Sequence, residues 1–115
     1  MKRATTKLPE HRSDTGNAQR FVRLHGKNLR YRQTYSSYGS YGPYRWYVRY
    51  NGQWHEDKNG NEVMRRAQAT IATLFSDAAR MKEGKERTAL IKFATASENL
   101  SRLKAMIALA RDMLA

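Results

Sequence analysis

Apolar positions along this chain follow two different periods. From residue 61 onward, Val63, Ala67, Ile71, Leu74, Phe75, Ala78 and Met81 recur at steps of three and four. That spacing puts them on one face of an amphipathic helix ending near Gly84. Ala89, Leu90, Phe93 and Ala94 mark a second, shorter helix. Ser97 is placed to cap a third, whose apolar face is Leu100, Leu103, Met106, Ile107, Ala110 and Leu114. Between residues 28 and 57 the period is two. Leu29-Arg30-Tyr31-Arg32 sends Leu29 and Tyr31 to one face and both arginines to the other. In the same way Tyr44, Trp46, Val48 and Tyr50 point inward, and Arg45, Tyr47 and Arg49 outward. Asn51-Gly52 signals a tight type I′ hairpin turn, with Gln53-Trp54-His55-Glu56 as the return strand.

Ahead of the strands, Asn17 is placed to cap a short helix containing Ala18, Phe21, Val22 and Leu24, and Gly26 stops it. Residues 1–16 are polar and basic and read as a flexible arm. The expected fold is therefore α+β: a short N-terminal helix, a small antiparallel β-meander, and a C-terminal bundle of about three helices. Residues 17–115 form a single domain, β-rich over 28–57 and helical over 61–115. A chain this short supports one modest core, in which Trp46, Val48 and Trp54 are expected to meet Phe75, Phe93 and Leu103.

Charge changes the picture. Lys and Arg total 22 against 10 Asp and Glu, a formal net charge of +12 with a pI near 10.4. Such an excess favours a polyanionic partner through release of condensed counterions. The first 33 residues hold nine of the basic side chains and only two acidic ones, so the attraction is concentrated there.

All seven tyrosines lie between Tyr31 and Tyr50, with Arg30, Arg32, Arg45 and Arg49 threaded among them. Rings to stack on bases beside guanidinium groups that seek phosphates are what nucleic acid uses, single strands above all. The arginines Arg30, Arg32, Arg45 and Arg49 are the expected phosphate contacts and Tyr47 a stacking ring on the same face. Arg20 and Arg23, three apart on one side of the first helix, and Lys27 extend the basic surface. Tyr35, Tyr38 and Tyr41 sit among Ser and Gly at a spacing of three, which would throw rings to opposite faces of a strand. They are expected on an extended loop from Gln33 to Pro43, free to stack on bases. DNA and RNA both satisfy this chemistry.

Other chemistries find no support. With no cysteine there is no disulfide framework, thiolate nucleophile or zinc ribbon, and His11, His25 and His55 are scattered singly. No Gly-rich phosphate loop or carboxylate cluster for two-metal phosphoryl transfer is present. The chain reads as non-enzymatic, without cofactor or metal. No apolar run approaches a membrane span and no signal-peptide pattern opens the sequence, so a cytoplasmic protein is expected.

Five segments then stand together in order. They are Asn17-Ala18-Gln19-Arg20-Phe21, Leu29-Arg30-Tyr31, Trp46-x-Val48-x-x-Asn51-Gly52-x-Trp54, the helix from Val63, and a closing set of Lys92, Ser97, Leu103, Lys104 and Ala105-Met106. Over residues 17 to 115 the chain resembles the segment preceding the superfamily 3 helicase in phage and plasmid primase-helicase proteins, including the poxvirus-type group. The resemblance implies a replication module of a mobile element, working beside a primase and a helicase in a bacterial host. In that family the enzymatic centres lie outside this segment. Two readings follow: a module that binds DNA and positions it for a primase or helicase, or a protein-interaction module. The second would be a helicase-docking adaptor or a phage-encoded inhibitor of a host nuclease or defence complex.

Overall fold

The computed structural model describes residues 10–114; residues 1–9 of the expected arm lie outside them. The helix α1 spans Asp14–His25, and a short 3-10 turn, Gly26–Asn28, leads into the strands. These are β1 (Leu29–Tyr35), β2 (Tyr41–Tyr50) and β3 (Gln53–Glu56). They form one antiparallel sheet in the order β1-β2-β3. Three helices follow: α2 (Asn61–Ala79), α3 (Lys85–Ser97) and α4 (Leu100–Leu114). The α+β architecture expected from the two periods is the one observed.

The ends of the helices correct the expected caps. Ser13, not Asn17, begins α1: its hydroxyl accepts from the Gly16 amide at 2.9 Å, with Asp14 in the first turn. Gly16 is tightly placed here, since a Cβ on it would lie 1.7 Å from the His11 carbonyl oxygen. Asn99, not Ser97, caps α4, accepting from the Arg102 amide at 2.9 Å. Asn17 and Ser97 instead meet in the interior, where the Asn17 side-chain amide donates to the Ser97 hydroxyl at 3.1 Å. The Asp57 carboxylate caps α2 from outside, accepting from the Glu62 and Val63 amides at 3.2 and 2.9 Å.

One apolar core joins the elements. Phe21 and Ala18 of α1, Leu29 and Val48 of the sheet, Val63, Ile71 and Leu74 of α2, Leu90 of α3, and Leu103 and Met106 of α4 are all buried. Trp46, Phe75 and Phe93 pack against this cluster as expected. Trp54 does not. The helix α1 packs chiefly on α4, and the two run parallel. Arg102 near the start of α4 pairs with Asp14 at the start of α1, while Leu114 reaches Gly26 at the other end.

His25, half-buried beside Phe21 with ring centroids 5.6 Å apart, gives this packing a pH dependence. Burial, with the charge of Arg66 adding to it, lowers the imidazole pKa below its ordinary 6.5. Because the folded value is the lower one, the stabilisation is fully present above about pH 6.5. It is lost as the pH falls from there through the depressed folded value. Melting temperature should therefore decline between pH 7.5 and pH 5 in the parent and decline less in His25→Gln. Equal declines in the two proteins would contradict this.

Candidate nucleic-acid interface

Strand pairing decides which side chains share a face. Arg30 stands opposite Tyr47, Arg32 opposite Arg45, and Arg49 opposite Trp54. Directly opposed residues point to the same side of a sheet. Arg30, Arg32, Arg45, Tyr47, Arg49, Trp54 and Glu56 thus share the face turned away from the helices. The alternation placed the four arginines and Tyr47 there, as the structure does. Trp54, expected in the core, is on the outer face with them.

That displacement builds the centre of the site. The Arg30 guanidinium lies 4.4 Å from the Trp54 ring centroid and that of Arg49 5.5 Å from it. The indole attracts both cations through its π-face. A guanidinium lying over a ring still has its in-plane N–H groups available to an anion. Arg49 spends its Nε hydrogen on the Asn28 side-chain oxygen at 3.3 Å, which fixes the head group over the indole.

The face also holds a repulsion that is only partly compensated. Arg32 and Arg45 are direct cross-strand partners, an arrangement that is destabilising for like charges. Arg45 is paired with Glu56 at 3.3 Å. Among the described residues no carboxylate pairs with Arg30, Arg32 or Arg49. Four arginines facing one carboxylate leave a surface that an anion would relieve.

The tyrosine segment is more ordered than the expected loop. β1 continues to Tyr35 and β2 starts at Tyr41, so only Ser36–Ser40 remain as a tip. The Ser36 hydroxyl accepts from the amides of Tyr38 and Ser40, each at 3.2 Å. An extra residue in β2 shifts the register between Gln33 and Tyr35. Pro43 falls within this bulge, its carbonyl accepting from the Thr34 hydroxyl at 3.0 Å. The bulge sets Tyr35 opposite Tyr41 with their rings edge to face at 4.8 Å. Tyr35 and Tyr41 are 61% and 71% exposed and Tyr38, at the tip, 93%. Three aromatics without a core are therefore presented on a hairpin end.

Two of the basic residues expected to extend the surface, Arg20 and Arg23, are engaged by Glu10 instead. Arg20 is fully buried and is a structural residue, because α1 turns it under the chain that enters the helix. Its Nη1 donates to Asn17 at 3.2 Å, and its Nη2 meets Glu10 at 3.4 Å in an ion pair. Arg23 is half exposed but held by the same Glu10 carboxylate. Lys27 is exposed on the 3-10 turn before β1. The sequence reading missed Trp54 as part of the face. Its signal was the two-residue turn, which fixes Trp54 opposite Arg49.

Among the described residues no group of three or more His, Asp or Glu side chains is arranged to hold a metal ion. None of the described helices is long and apolar enough to cross a membrane. No curated protein and no solved structure matches the chain. A family model described as D5 N terminal like matches residues 18–115, nearly the whole span over which the resemblance was drawn.

Proposed function

The chain belongs to the D5 N terminal like family, the segment preceding the helicase domain in primase-helicase proteins, and on that premise we propose that it is a non-catalytic module binding single-stranded DNA during replication. It holds the strand for the primase or helicase it works beside. The observation that carries this reading is the outer sheet face, where Trp54 orients the guanidinium groups of Arg30 and Arg49 beside Arg32 and Tyr47. Arg30, Arg32 and Arg49 neutralise phosphates. Tyr47 and the hairpin tyrosines Tyr35, Tyr38 and Tyr41 stack on bases, which every sequence offers.

Salt dependence tests it. With three or four phosphates neutralised, log K for a labelled oligonucleotide should fall with log salt at a slope of about two to three, at about 0.7 per single-strand phosphate. Arg30→Gln with Arg32→Gln should flatten that slope by about one to two units and weaken all sequences alike. Affinity that ignores salt would reject the phosphate contacts. A stoichiometric protein complex that survives nuclease treatment, together with no binding to oligonucleotides, would favour the adaptor or inhibitor reading.

A further inference from the structure

The hairpin made by β1 and β2 has a second face, chemically unlike the first. Beyond Tyr47, β3 no longer accompanies β2, because its pairing covers only Tyr47 to Tyr50. From Arg45 to the tip the sheet is a two-stranded ribbon. On its inner side Tyr31 and Tyr44 stack with ring centroids 5.5 Å apart and 25° between their planes. Trp46 lies beside Tyr31 at 5.3 Å. The helices bury Leu29 and Val48 of this face but leave Tyr44 54% exposed. From α4, the Arg111 guanidinium lies 5.2 Å from the Tyr31 ring centroid, and no carboxylate pairs with it among the described residues.

Resting on the reading that the outer face holds a single strand, we infer that the inner face of the hairpin receives a second strand, so that the protein recognises the fork where a duplex opens. The outer face offers arginines with the Tyr47 ring; the inner face offers the exposed Tyr44 ring, backed by Tyr31 and Trp46, with one arginine. Each is a stacking platform with a cation beside it, which is the chemistry a splayed strand requires. The two faces are separated by the ribbon itself and meet at its end. That end carries Tyr38 and the Tyr35–Tyr41 pair, rings suited to lie against the last base pair before the strands part. A protein ligand of the inner face would need no such joining to the outer face.

The experiment compares the full chain on three labelled DNAs: a fork with two unpaired arms, a single strand of the same arm length, and a duplex. The fork should bind at least about tenfold tighter than the single strand, since a second stacked arm adds to the first. Tyr44→Ser with Arg111→Gln should bring fork affinity down to the single-strand level and leave single-strand affinity unchanged. Arg30→Gln should weaken both. A melting curve on each variant confirms folding, and Arg111→Gln alone serves if the pair is unstable. Equal binding of fork and single strand by the parent would overturn the inference while leaving the single-strand reading intact. So would an equal loss on both DNAs in the double variant. Binding to none of the three DNAs would reject the single-strand reading and the inference with it.

Discussion

Trp54→Ala should lose no more than about 1 to 2 kcal/mol of stability yet bind single-stranded DNA about ten- to a hundredfold more weakly. A tryptophan in a core of this size would behave in the opposite way, costing about 3 to 5 kcal/mol on truncation. Trp54 lies on the outer face opposite Arg49, so its stabilising contacts are the two cation–π pairs, about 0.5 to 1 kcal/mol each at an exposed site. Its role in binding is larger. Removing the indole releases the guanidinium groups of Arg30 and Arg49 from their fixed positions, so that both must be ordered again on binding a phosphate. Trp54→Phe should keep part of both effects. Urea titration and fluorescence anisotropy on the same preparations separate the outcomes. A loss of 3 kcal/mol or more in stability with unchanged affinity would return Trp54 to the core and remove the centre of the proposed interface.

Arg20→Ala is expected to have the largest effect on stability, about 3 to 5 kcal/mol, because it breaks a buried ion pair from one side. Arg20 is fully buried and the Glu10 side chain only 8% exposed. Losing the guanidinium leaves the Glu10 carboxylate to Arg23 alone, empties the buried space the side chain filled, and leaves the Asn17 oxygen without its donor. The loss is a large part of the about 5 to 15 kcal/mol that holds a small domain together. Arg20→Met combined with Glu10→Gln should recover most of it, since neither charge then remains buried. Acid should act on the same pair. Burial raises the Glu10 pKa, but the hydrogen bond from Arg23 and the charges of Arg20 and Arg23 outweigh this and lower it below 4.5. A depressed folded value means stability that is complete above about pH 4.5 and lost as the pH falls through the lower folded value. Glu10→Gln should abolish that part of the acid sensitivity. An Arg20→Ala protein that unfolds at the parent's urea midpoint would contradict the account.

Much of the fold was legible because two periods and one turn specify it. The alternation from Tyr44 to Tyr50 placed Arg45, Tyr47 and Arg49 correctly. Asn51, with φ of 53°, and Gly52, at 75°, adopt the left-handed conformations that their pairing announced. The same turn contained the answer for Trp54: a two-residue turn pairs Tyr50 with Gln53 and therefore Arg49 with Trp54. Residue type argued for the core, and register overruled it. Arg20 was not legible, because a charge three residues from another on a helix reads locally as a surface pair. Its burial depends on Glu10 arriving from outside the helix. Asn17 and Ser97 each look like caps in isolation, and only the tertiary packing makes them partners. The tyrosine spacing of three suggested a loop, whereas one extra residue in β2 lets the strands continue and still oppose Tyr35 to Tyr41.

The pairing of Asn17 with Ser97 spans 80 positions of the chain, and it has a bearing on how the molecule is made. Emerging from a ribosome, α1 is complete well before α4, yet the surface that covers Ala18 and Phe21 belongs largely to α4. At about 5 to 20 residues per second, the stripe on α1 stays wet for seconds before its partner is synthesised. Closing so long a loop adds only a modest, logarithmic entropic cost, so the delay is one of supply rather than of search. During that interval the sheet and the α2–α3 hairpin can form from near neighbours, while α1 waits as an exposed amphipathic helix and a ready client for any chaperone that binds apolar segments.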